Sequence, residues 1–85
     1  MTSKTKQLKK HAKKRAMQRY GLNLKNHQIV EIVRLIQDGK AKFIERQSLR
    51  VTRWEVDFEK EKVDVLYDKI RKTIITFLPP ALNKS

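Results

Sequence analysis

The sequence predicts an α+β fold: two N-terminal helices packed on one face of a three- to four-stranded antiparallel β-meander. Three observations carry this. Apolar spacing is helical up to Gly39 and changes to a period of two after it. The links between the later segments are too short for the crossover a parallel pair requires. And 85 residues with 39% hydrophobic content and no cysteine allow one modest core that no disulfide staples.

The first helix is expected over Gln7 to Tyr20, a stretch of Ala, Lys, Arg, Gln and Met without Gly or Pro, closed by Gly21. At about 100° per residue, Leu8, Ala12, Ala16 and Tyr20 share one side. Arg15 and Arg19 fall within the same sector, with His11 at its edge. Either their stems run along the core boundary with the charged heads in water, or they line a cleft between helix and sheet.

Asn26 reads as the N-cap of a second helix, His27 to Asp38, in which Ile29, Val33 and Ile36 recur at core spacing with Val30 and Ile32 beside them. Gly39 suits the left-handed residue that ends it. A first strand is expected over Lys42 to Arg46. A clearer one runs from Val51 to Glu59, with Trp54, Val56 and Phe58 on the covered face and Arg53, Glu55 and Asp57 on the wet face. Lys62 to Tyr67 and Lys72 to Leu78 complete the meander, and Pro79-Pro80 stops it. Residues 7–78 therefore read as one domain, residues 1–6 as a frayed basic start and residues 79–85 as a short tail.

The net charge is +12, and its placement is uneven. Residues 1–25 hold nine Lys/Arg and no acid, whereas residues 26–85 hold twelve Lys/Arg against nine acids. Such a field favours a polyanionic partner: RNA, DNA or an acidic protein surface. No apolar run has the length of a signal peptide or membrane span, so a cytoplasmic protein without a membrane partner is expected.

The sequence has no Gly-rich phosphate loop, no Cys nucleophile and no metal-ligand motif, so neither metal nor cofactor is expected. What remains is His11, Lys14, Arg15 and Arg19 on the first helix, then Arg46, Gln47, Ser48, Arg50 and Arg53 around a strand connection, and Thr76 on the last strand. That inventory suits phosphodiester chemistry. RNA cleavage needs a base for the 2′-hydroxyl proton, an acid for the leaving oxygen and cations for the charge gathering on phosphorus. Imidazole and guanidinium supply these. Trp54, Tyr20 and Tyr67 match apolar faces and read as core rather than as base-stacking platforms.

His11-Ala12-Lys13-Lys14-Arg15, Arg19-Tyr20-Gly21, Val65-Leu66-Tyr67-Asp68 and Thr76-Phe77-Leu78-Pro79 together resemble the dispersed pattern of small phage and bacterial proteins of the RelE-like ribonuclease grouping, which also takes in barnase, EndoU and colicin ribonucleases. The resemblance spans nearly the whole chain. It implies a toxin-like, metal-independent endoribonuclease with His11, Arg15, Arg46 and Thr76 in the catalytic set. Lys9, Lys10, Lys13, Lys14, Arg19, Arg50 and Arg53 would then hold nucleic acid. RelE-like members themselves rely more on sheet lysines and arginines and a C-terminal aromatic. A non-catalytic RNA- or DNA-binding protein of the same fold, or a module for an acidic host protein or antitoxin, is the alternative.

Overall fold

A computed structural model of the chain describes residues 4–79. Two helices, α1 (Lys4–Tyr20) and α2 (Asn26–Gln37), precede four strands: β1 (Lys42–Arg46), β2 (Val51–Phe58), β3 (Glu61–Asp68) and β4 (Thr73–Leu78). The strands pair antiparallel in sequence order, β1-β2-β3-β4, so the expected meander has four members. α1 begins at Lys4, three residues before the expected Gln7. Met1–Ser3 and Pro80–Ser85 lie outside the described residues, as do the side chains of residues 4–9 on α1, Leu8 and Lys9 among them.

Both helix ends follow from glycine. Gly21, at φ 68°, donates its N–H to the Met17 carbonyl at 3.0 Å and closes α1. Gly39, at φ 75°, lets the Lys40 N–H reach back to Leu35 at 2.9 Å and ends α2. The start of α2 differs from expectation. Asn26 is its first residue, Lys25 holds the cap position, and the Gln28 side chain accepts the Lys25 N–H at 2.8 Å. That bond occupies the cap residue's own N–H, and the Gln28 N–H donates to the Lys25 carbonyl at 2.9 Å.

The core is a single layer between the helices and one sheet face. From α2 it takes Ile29, Ile32, Val33 and Ile36, while Val30 stays exposed. From the sheet it takes Val56, Phe58, Val63, Val65, Tyr67, Ile74 and Phe77. Trp54 packs at its edge, with the Phe43 ring edge-on at 5.3 Å and its indole N–H donated to Thr52 Oγ1 at 2.8 Å. The side chain of α1 that meets the sheet is small: Ala12 and Ala16 are fully buried, and they let the helix close on β4, the element it chiefly contacts.

Tyr20 fixes the direction of α1. Its ring packs edge-on to Phe77, its hydroxyl donates to the Leu78 carbonyl at 2.8 Å, and it accepts the Asp64 N–H at 3.0 Å. Asp64 and Leu78 are opposite each other on β3 and β4, so this hydroxyl stands in for a ladder rung. The C-terminus of α1 thus meets the C-terminal end of β4. Ala16 and Ala12, one and two turns earlier, lead the helix back along the strand towards its start.

Candidate functional site on α1 and β4

The buried alanines define the contact line of α1, and every other side chain can be placed relative to it. Tyr20 falls on the flank turned to the core, where Phe77 meets it. At about 100° per residue, Arg19 lies beside the contact line on the other flank, followed by Arg15 and then His11. Burial follows the same order: Arg19 and Arg15 are half-buried and His11 is exposed.

Thr76 belongs to the sheet face that the helices leave uncovered because of a bulge. Leu66 pairs with Thr76 but Tyr67 pairs with Ile74, leaving Ile75 as an extra residue in β4. In a regular strand Ile74 and Thr76 would point the same way. The extra residue reverses the phase, so Ile74 and Phe77 both enter the core while Thr76 stands on the open side with Leu66. α1, the helix of His11, Arg15 and Arg19, packs against β4, the strand that carries Thr76.

The electrostatic setting separates these cations from those of the sheet. Arg53 bonds Asp64 at 2.7 Å and reaches Glu45 at 3.7 Å; Asp64 is only 8% exposed at its side chain. The bond from Asp64 is the main reason the Arg53 guanidinium titrates above its ordinary value. Arg50 bonds Asp68 at 3.2 Å. By contrast, no carboxylate lies within ion-pair distance of Lys10, Lys13, Lys14, Arg15 or Arg19 among the described residues. Arg15 donates to the neutral Gln18 Oε1 at 3.0 Å, and the buried Nε of Arg19 has no hydrogen-bond partner there.

Of the other residues singled out in the sequence, Lys10 and Lys14 are exposed on α1 and Lys13 is half-buried. Arg46 stands apart. It ends β1, at the opposite edge of the sheet from β4, three strand spacings or about 14 Å away. Gln47 and Ser48 serve the turn after it: both N–H groups donate to the Val51 carbonyl, and Ser48 Oγ accepts the Val51 N–H at 3.2 Å.

His27, the second histidine, lines a shallow hollow of about 520 Å³ with Glu31 and Arg34 of α2, Asp38 just after it, and none of the α1 cations. Among the described residues no group of three His, Asp or Glu side chains is placed to hold a metal ion. No helix among them is long and apolar enough to cross a membrane. Comparisons with protein-family models, with curated proteins and with solved structures give no match to this chain.

Proposed function

We propose that this chain is a small RNA-directed protein whose α1–β4 face cleaves the phosphodiester backbone without a metal ion. The observation that carries the reading is the set of described α1 cations that no carboxylate neutralises, with exposed His11 among them, on the helix that packs against β4. Guanidinium groups with unspent N–H donors are suited to phosphate oxygens. In this scheme His11 takes the proton of the 2′-hydroxyl, whose oxygen attacks phosphorus, and the P–O5′ bond breaks as the 5′-oxygen takes a proton from solvent water. Arg15 and Arg19 hold the equatorial oxygens as charge builds, and the Thr76 hydroxyl donates to one of them. The products are a 2′,3′-cyclic phosphate and a 5′-hydroxyl end. The resemblance to RelE-like ribonucleases implies the same chemistry.

Purified protein incubated with RNA in EDTA tests this directly. Cleavage is expected to leave cyclic-phosphate ends and to fall roughly 10²- to 10⁴-fold for His11→Ala. Intact RNA at high protein concentration, with His11→Ala no different from the parent, would sink the catalytic reading. One observation favours a second reading, a binding module without catalysis: His11 is open to solvent with no orienting partner among the described residues. That version predicts RNA binding indifferent to His11→Ala but weakened by Arg15→Ala.

A further inference from the structure

The meander brings two distant turns to one end of the molecule. Because the strands alternate in direction, the β1–β2 turn and the β3–β4 turn emerge on the same side, two strand spacings or about 10 Å apart. The tip of each carries an aliphatic side chain held out in solvent: Leu49, 84% exposed, and Ile70, 68% exposed. They are the two most exposed large hydrophobic residues among those described. In the sequence they lie in separate polar loops, and only the topology makes them a pair.

The tip is locked rather than loose. The Lys69 N–H donates to the Arg50 carbonyl at 2.8 Å, which ties the two turns to each other. Buried Asp68 holds both from below: its carboxylate accepts the N–H groups of Ile70 and Arg71 at 2.9 and 3.0 Å and pairs with Arg50 at 3.2 Å. Around the two apolar tips stands a cationic collar of exposed Arg46, Lys69 and Lys72. The one acid of the β3–β4 turn is Asp68, and its charge is already matched.

We infer that this end of the molecule docks on an anionic lipid surface, with Leu49 and Ile70 entering the headgroup boundary and the collar meeting lipid phosphates. Apolar insertion added to attraction by anionic lipids is the physical basis of peripheral membrane binding. The shape favours that occupant. Single-stranded nucleic acid is met by aromatic faces, and none is exposed at this end. An acidic protein would need two preformed sockets for two convex tips, whereas a bilayer interface yields to them. The sequence alone implied no membrane partner because only spanning segments are legible there.

The proposal is independent of the RNA reading and is tested with vesicles. Full-length protein is floated with vesicles of phosphatidylcholine alone and of equal parts phosphatidylcholine and phosphatidylglycerol, at physiological ionic strength. The parent is expected to float with the anionic vesicles only, and Leu49→Ser/Ile70→Ser to bind them about tenfold more weakly with unchanged RNA binding. Both positions are exposed, and an unchanged thermal midpoint checks that the variant folds. Three outcomes overturn the proposal: no flotation of the parent, equal flotation of the double variant, or a double variant that loses RNA binding while keeping vesicle binding. The last would assign the tip to nucleic acid.

Discussion

Tyr20 joins α1 to the sheet through two backbone groups, the Asp64 N–H and the Leu78 carbonyl, which face each other where the β3–β4 pairing ends. Tyr20→Phe keeps the ring against Phe77 but strips both groups of their partner, so a loss of about 1–3 kcal/mol in urea unfolding is expected. Burial is the main reason the phenol titrates above its ordinary value of 10.0, outweighing the opposing bond from Asp64. A group whose folded pKa is raised lends stability below its unfolded value and loses it as pH rises through the folded one. Unfolding of the parent followed above pH 10 should therefore show an alkaline loss that Tyr20→Phe lacks. If the two decline in parallel, the hydroxyl is not the linked group. The sequence showed Tyr20 as an apolar position at the end of a helix; its hydroxyl gave no sign of the backbone it reaches, 44 and 58 residues away.

The β2–β3 hairpin turns through Glu59 and Lys60, both at positive φ (50° and 67°), without the glycine such a turn favours. Lys60→Gly relieves the Cβ strain of the left-handed conformation and should stabilise the chain by about 1 kcal/mol, read as a rise in the thermal midpoint. Glu59 is left in place because it accepts a hydrogen bond from Gln28. The β3–β4 turn rests on Asp68 instead. Burial works against its charge, but the Arg71 N–H, Arg50 and the Ile70 N–H prevail and hold its carboxyl below the ordinary 3.8. Its contribution is present above that unfolded value and is lost as pH falls through the lower folded one. Asp68→Asn should be less stable at neutral pH and should lack that acid limb when unfolding is followed downwards in pH. At this scale most boundaries were legible, because periods of 3.6 and 2 and the two glycines are local signals. The bulge at Ile75 was not: strict alternation puts Thr76 with Ile74, and only the pairing with β3 reverses it. Nor was the closeness of α1 to β4, which depends on alanines weak in any hydrophobic pattern.

Charge is the property of the whole molecule that sequence and structure divide differently. Counted along the chain, the N-terminal 25 residues carry an unopposed +9 and the remainder +3. Folding sharpens the contrast, because the carboxylates of Asp64 and Asp68 take up Arg53 and Arg50, while the described α1 cations meet none. Arg50 and Arg53, which look like phosphate contacts in the sequence, each pair with a buried carboxylate of the sheet. This yields opposite outcomes for two pairs of substitutions in RNA binding measured across a salt series. Each phosphate contact on a single strand contributes about 0.7 to the slope of log affinity against log salt. Lys10→Gln/Lys14→Gln should therefore flatten the slope by about 1.4 with little change in stability, both side chains being exposed. Arg53→Gln should leave the slope nearly unchanged and lower stability by roughly 1–3 kcal/mol, since it strips buried Asp64 of a charged hydrogen bond. A flattened slope for Arg53→Gln would mean that RNA competes for the guanidinium with Asp64, and that the nucleic-acid face extends from α1 across the open sheet.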